Sequence, residues 1–247
     1  MNKEKNFSSN YQNQIKSKIE VAENLYKQKL MVNPDDFESI FNLSTLFLQT
    51  EKFDLAKSLL NRGIKIRPNH AGSYNNLGTA LMKLGESEKA MNYFQKAIQI
   101  NPNFAFAYYN LGKVFHDLNE PQKAISCFEN TIKIQPNNED AHNNLGVVFK
   151  DLGEHEKAIN CYKKAIEINP NYVNAYNNLG ILLEELNHAD EAKKNLEISL
   201  NLDPNKEKTC EVYGNILLKL NQHLKALEYI KKGSGFIRFT QKDFKII

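Results

Sequence analysis

Few residues in this 247-residue chain are of a type and spacing that could do chemistry. His188-Ala189-Asp190 spells the His-x-Asp pair of a facial iron triad, and His223 lies downstream as a third candidate ligand. Cys127, Cys161 and Cys210 are too few and too scattered for a disulfide framework. No Ser/His/Asp or Cys/His arrangement, phosphate-cradling glycine loop, dinucleotide fingerprint or zinc spacing is present. A second set offers hydrogen bonding rather than bond-making. Tyr-Asn-Asn-Leu-Gly stands at Tyr74–Gly78 and again at Tyr176–Gly180. Tyr-Tyr-Asn-Leu-Gly (Tyr108–Gly112) and His-Asn-Asn-Leu-Gly (His142–Gly146) lie between them. Each amide carries two N–H donors and an acceptor oxygen. Asn is a mediocre helix former, so its return at one place in four segments asks for a use.

The elements that position these residues are set by a period. Six of the seven prolines fall at Pro34, Pro68, Pro102, Pro136, Pro170 and Pro204, each 34 residues from the last. Starting each unit three residues after a proline gives repeats 37–70, 71–104, 105–138, 139–172 and 173–206, then a degenerate unit 207–232. Position 7 is Leu in all five regular units: Leu43, Leu77, Leu111, Leu145 and Leu179. Position 8 is Ser44, then Gly78, Gly112, Gly146 and Gly180; position 20 is Ala56, Ala90, Ala124, Ala158 and Ala192. Positions 4, 7, 8 and 11 form one stripe of a helix, and 20, 24 and 27 the stripe of a second. Leu-Gly-Glu at Leu84–Glu86 and Leu152–Glu154, and Leu-Asn-Glu-Pro at Leu118–Pro121, are the turns between them. The recurring prolines end the second helix of each unit.

This pattern of aromatic, Leu-Gly, aromatic, Ala, aromatic and Pro resembles the tetratricopeptide repeat (TPR) family, over roughly residues 37–232. The resemblance implies an all-α fold, a right-handed α-solenoid of tandem helix–turn–helix units, counted as one domain over 11–232. Residues 11–32 fit only the second helix of a unit, through Ala22, Tyr26 and Val32, and are expected to form an N-terminal capping helix. Residues 1–10 are expected to be a disordered tail. The sixth unit departs at Cys210 and Tyr213 but keeps Gly214, Leu217, Ala226 and Ile230. In the tail 233–247, Gly233 and Gly235 are expected to end the last helix, and Phe236–Phe239 is expected to cover the open end of the array, with a self-ligand or a relic of a further domain as other readings.

In the family, the face of the first helices opposite the packing stripe lines a concave groove where partners bind. Positions 2, 5, 6, 9, 12 and 13 lie roughly there. Position 6 holds Asn42, Asn76, Asn110, Asn144 and Asn178; position 5 holds Phe41, Asn75, Tyr109, Asn143 and Asn177. A row of amides suits an extended peptide backbone held without reading its side chains. The row resembles the one in the superhelical groove of O-GlcNAc transferases. Tyr-Asn-Leu-Gly is equally the commonest wording of the family, so inherited sequence is the competing explanation. Phe41, Phe106 and Tyr109 are candidate aromatic anchors. Lys113, His116 and Asp117, then Lys150 and Asp151, then Glu184 and Glu185 line the same face, which turns acidic toward its end. The chaperone-type carboxylate clamp needs Lys at position 5, and no regular unit has it.

Adjacent units in the family stack about one helix diameter, ~10 Å, apart. That is too far for His188 and His223 to share a metal, or for Cys127 and Cys161 to form a disulfide. No metal, cofactor or catalytic residue is expected, and His142 is read as a packing residue. With 41% hydrophobic and 25% charged residues and a net charge of +3, nothing demands nucleic acid or a membrane. The first residues lack the apolar core of a signal peptide, and no run is long enough to span a bilayer. A reduced, cytoplasmic protein is expected. The function expected is a non-catalytic interaction scaffold for extended segments of other proteins, with weak self-association through a solenoid end as an accessory. The alternative is a recruiting or regulatory subunit, or a remnant N-terminal module, for a transferase- or oxygenase-type enzyme.

Overall fold

The computed structural model describes the backbone of residues 2–234, 237–239 and 244–246, and the side chains of 17–233. Among the described residues there are thirteen helices and one short antiparallel hairpin. Helix α1 (Asn2–Val32) comes first. Then first and second helices alternate through the repeats: α2 (Phe37–Gln49), α3 (Phe53–Ile66), α4 (Ala71–Lys83), α5 (Ser87–Ile100), α6 (Ala105–Asp117) and α7 (Pro121–Ile134). They continue as α8 (Glu139–Asp151), α9 (His155–Ile168), α10 (Val173–Glu185), α11 (Ala189–Leu202), α12 (Glu207–Lys219) and α13 (His223–Ser234). Strands β1 (Ile237–Phe239) and β2 (Phe244–Ile246) pair Ile237 with Ile246 and Phe239 with Phe244.

The chain divides into two compact units, residues 1–120 and 121–247, where the sequence reading groups 11–232 as one array. In a repeat array each hairpin packs on its immediate neighbours, so no single central core ties the whole together. Within the first unit each helix from α1 to α6 packs on the next, and α4 also touches α2 and α6. In the second, α7 to α13 do the same, α10 touches α8 and α12, and β1 lies on α13. Each unit is thus an all-α stack of helical hairpins.

The turns between first and second helices share one geometry. Glu51, Gly85, Asn119, Gly153, Asn187 and Asn221 all have positive φ, between 58° and 79°. Around Gly85, the Gly85 N–H donates to the Met82 carbonyl at 3.1 Å and the Glu86 N–H to the Leu81 carbonyl at 2.9 Å, a Schellman cap. Between repeats, Asn101 and Asn169 precede proline in extended backbone, ψ 97° and 95°. Their side chains accept from the N–H two residues on, at 3.0 Å in both cases, closing Asx turns.

Inside each hairpin the position-24 side chain lies on the backbone of position 8. A Cβ on Gly78 would stand 2.7 Å from Phe94, and one on Gly146 2.7 Å from Tyr162. Ala56, Ala90, Ala124, Ala158, Ala192 and Ala226 are fully buried opposite. Ser44 replaces the glycine in the first repeat, its hydroxyl donating to the Phe41 carbonyl at 2.7 Å. In the sixth unit Cys210 and Tyr213 are buried, and the Tyr213 hydroxyl donates to Glu197.

The ends differ from the sequence reading. Residues 2–10, expected as a disordered tail, are helical and continuous with 11–32, because no Pro or Gly interrupts them before Pro34. Helix α1 packs on α2, yet Val21, Leu25, Met31 and Val32 stay exposed, so its outer face is not a polar cap. An apolar cleft of about 460 Å³ lies among α1, α2 and α3, lined by Leu30, Met31, Phe47 and Leu55. Gly233 sits inside α13 rather than ending it. A Cβ there would meet the Glu207 carbonyl and the Glu211 nitrogen at 2.7 Å, so the glycine lets α13 close onto α12. Gly235, Phe236 and the side chains of the tail lie outside the described residues.

Two stability measurements follow. Glu51 carries a side chain in a conformation that costs an L-residue about 1–2 kcal/mol, partly offset by the entropy glycine loses on folding. Glu51→Gly is expected to raise the urea unfolding free energy by about 0.5–1 kcal/mol; a loss would contradict the assigned turn. His70 caps α4, its Nδ1 accepting from the Ser73 N–H at 3.1 Å, with its ring edge-on to Phe37 and Phe41. Burial lowers its pKa below the usual 6.5, the Arg67 charge adding to this and the Glu38 charge opposing it. The unfolded chain therefore binds the proton first, and stability falls as pH drops below about 6.5. His70→Asn, the cap this chain uses at Asn138, is expected to remove that part of the pH dependence between 7 and 5 in thermal melts.

Candidate functional site

The asparagines form a ladder. Within a repeat the position-5 amide donates to the position-6 oxygen: Asn75 to Asn76 at 3.3 Å, Asn143 to Asn144 at 3.3 Å, and Asn177 to Asn178 at 3.4 Å. Between repeats the position-6 amide donates back to the preceding position 5: Asn110 to Asn75, and Asn178 to Asn143, both at 3.0 Å. Hydroxyls extend it. Asn76 donates to the Thr45 Oγ1 at 3.2 Å, and the Thr209 hydroxyl donates to the Asn177 oxygen at 2.5 Å. Side-chain hydrogen bonds therefore stitch the first helices together, α2 to α4 to α6 in one unit and α8 to α10 to α12 in the other.

Positions 5 and 6 have different surroundings. Asn75, Asn143 and Asn177 are buried, between 4% and 7% exposed, while Asn76, Asn110, Asn144 and Asn178 are half-buried and Asn42 is exposed. At 100° per residue, position 5 lies about 110° from the centre of the packing stripe, against the neighbouring first helix, whereas position 6 lies about 150° away. Position 10 is buried for the same reason, through Ala80, Val114, Val148, Leu182 and Ile216. An amide has two N–H donors, and a rung uses one of them at Asn76, Asn110 and Asn178.

The aromatic candidates occupy two places. Phe41 is half-buried against Phe37 and His70 at the α2–α4 contact. Phe106 on α6 is 56% exposed beside Phe104, and the Lys113 ammonium stands 5.7 Å from the centre of the Tyr109 ring. Helix α4 separates the two. The acidic stretch is paired: Glu185 with Lys150 at 2.7 Å, and Glu184 with Lys219 at 2.5 Å, both reaching between first helices. Thr45 and Thr209 belong to this face and gave no signal, since neither stands in the asparagine columns; Tyr162 stands in the position-24 packing column, at the floor.

Among the described residues no group of three or more His, Cys, Asp or Glu is placed to hold a metal ion. His188 and His223 stand at the starts of α11 and α13. The three cysteines are free thiols, and burial pushes Cys127 and Cys161 up to about 11, which keeps them protonated. No described helix is long and apolar enough to cross a membrane.

Tetratricopeptide repeat models match residues 37–70, 71–104, 105–138, 127–160 and 173–206, and a TPR repeat model matches 148–187. The chain belongs to the tetratricopeptide repeat family. A sequence comparison with curated proteins finds no match. Among solved structures, MamA is 30% identical with a TM-score of 0.59, over 66% of this chain and 95% of MamA. A chain of the APC/C hetero-tetramer Cut9–Hcn1 matches at 17% identity and TM-score 0.77, over 89% of this chain and 43% of its own. YrrB, a TPR protein with an unusual peptide-binding site, matches at 17% identity and TM-score 0.57, over 83% of this chain and 97% of its own. The last two likenesses speak for the fold alone.

The TPR ladder has a measurable energy. Asn143→Ala is expected to cost about 2 kcal/mol in urea unfolding, through two lost hydrogen bonds at a buried site. In a double-mutant cycle with Asn178→Ala the two costs should fall short of additive by about 0.5–1 kcal/mol. Strict additivity would mean that the rung carries no energy.

Proposed function

We propose that this TPR protein is a non-catalytic scaffold that holds extended segments of other proteins on the exposed face of its first helices. The position-6 amides grip the bound backbone, and Phe106, Tyr109 and Lys113 supply side-chain contacts. The observation that carries this reading is the division of labour at Asn76, Asn110 and Asn178. One N–H of each is fixed in the ladder, which orients the amide and directs the second N–H away from the rung. An extended peptide presents carbonyls at a regular spacing and is suited to such donors. The family supports protein binding in general, and the description of YrrB as peptide-binding supports this finer form.

The test compares partners captured by the wild type with those captured by a variant carrying Asn76→Ala, Asn110→Ala, Asn144→Ala and Asn178→Ala. Asn143→Ala is the intermediate arm: it keeps the exposed row but frees the Asn178 amide from its rung. The reading expects capture to fall about tenfold or more in the fourfold variant, with helicity retained by circular dichroism, and to fall by a smaller factor in Asn143→Ala. An unchanged partner set in the fourfold variant would reject it.

A further inference from the structure

A cavity of about 220 Å³ lies within the second unit, beneath the amide row, with Lys150, Asp151, Tyr162, Asn177, Asn178 and Lys208 in its lining. Tyr162 is fully buried, its ring pressed on Gly146, and its hydroxyl has no hydrogen-bond partner among the described residues. A buried hydroxyl left without a partner is costly, on the order of 1–3 kcal/mol. The chain itself shows that the hydroxyl is not needed for packing. The same place in other repeats is held by Leu60, Phe94, Phe128 and Leu196, all buried. Burial pushes the phenol pKa upward and the Asp151 charge pushes it further, so the group is a donor at any physiological pH.

The rest of the lining defines the chemistry of what enters. Asn178 spends one N–H on Asn143, and Asn177 spends one on Asn178, so amide donors stand beside the phenol. Asp151 supplies acceptor oxygens. Lys150 is held by Glu185 at 2.7 Å, and Asp151 offsets Lys208, so the lining has no net charge to stabilise a buried anion. A carboxylate would share the phenol and amide donors but would set a like charge against Asp151, which can donate nothing to it. A carboxamide has an acceptor for Tyr162 and the asparagines, and an NH2 for Asp151.

Resting on the peptide-binding reading above, we propose that this cavity is a specificity subsite for a carboxamide side chain, Gln or Asn, of the bound segment. The Tyr162 hydroxyl donates to the side-chain oxygen from the cavity floor, and the Asp151 carboxylate accepts from its NH2. Specificity in the second unit thus comes from a neutral hydrogen-bonding group at one residue, added to grip on the backbone.

The experiment measures Kd by fluorescence anisotropy for labelled Ser/Ala host nonapeptides with one central guest residue, Gln, Asn, Glu, Leu or Ala. It uses the full chain as wild type and as Tyr162→Phe, a substitution that reproduces Phe94 and Phe128. The Gln or Asn peptide is expected to bind wild type about threefold to tenfold more tightly than the Ala and Glu peptides, the worth of one or two neutral hydrogen bonds. Tyr162→Phe should abolish that preference, leave the Ala peptide's affinity unchanged, and hold or raise the melting temperature. A preference that survives Tyr162→Phe, or a Glu peptide that binds best, overturns the subsite. Five peptides binding wild type alike also overturn it, the cavity then holding water only, and leave the backbone-gripping reading standing. No binding by any peptide overturns both.

Discussion

The contact on which the rest of each unit depends is the seat of the position-24 side chain on a helix backbone that has no Cβ at position 8. Phe94 on Gly78, Tyr162 on Gly146, Leu196 on Gly180 and Ile230 on Gly214 are the same contact made four times. A methyl group there would stand 2.6–2.7 Å from carbon, well inside van der Waals contact, so the hairpin could close only by shifting. With the hairpin closed at this distance, the first helix has one rotational setting. That setting turns position 5 into the neighbouring first helix and position 6 to the rim, which makes the ladder possible.

The ladder gives the recurring asparagines a structural use on these helices. A buried position-5 residue contacts the adjacent helix, where an apolar side chain would pack. An amide there fixes register instead, because it must meet both its own repeat and the next. The bonds it makes are worth only about 1 kcal/mol each in net stability, since water is given up to form them. Their larger effect is on order. Side chains with two rotatable bonds are held in one arrangement, and the half-buried amides of Asn76, Asn110 and Asn178 are oriented by it.

The repeat architecture was legible because its signals are local and recur every 34 residues. The prolines, the Leu-Gly step and the turn residues each act on their own few neighbours. Gly85, Asn119 and Gly153 could be placed at turns without knowing what packs on what. Glu51, which adopts the same conformation, gave no such sign. What stayed hidden depends on the next repeat. The burial of Asn143 and Asn177, and of Val148 and Leu182 at position 10, follows from a neighbouring first helix that no single-helix wheel contains. The extension of α1 back to Asn2 was hidden differently, because polar, charged residues read as a tail when no partner face is known. Tyr162 stands in the position-24 packing column with Phe94 and Phe128; its hydroxyl acquires meaning only when α8, α10 and α12 enclose it.

On the face proposed for binding, charge is largely neutralised within the chain. Glu184 and Glu185 read as an acidic stretch, but Lys219 and Lys150 neutralise them from neighbouring first helices, and the Lys113 charge lies against the Tyr109 ring. Exposed pairs of this kind are worth well under about 1 kcal/mol and weaken with salt, so they neither hold the stack nor steer a partner strongly. What remains on the face is a set of fixed donors. A flexible donor must lose rotamer freedom when it binds, at about 0.5–1.5 kcal/mol per side chain, which roughly cancels one hydrogen bond. Amides already locked by their rungs avoid most of that loss. Within each unit, a few weak bonds of this kind can therefore add to useful affinity, whereas the same asparagines on an isolated helix would give almost none.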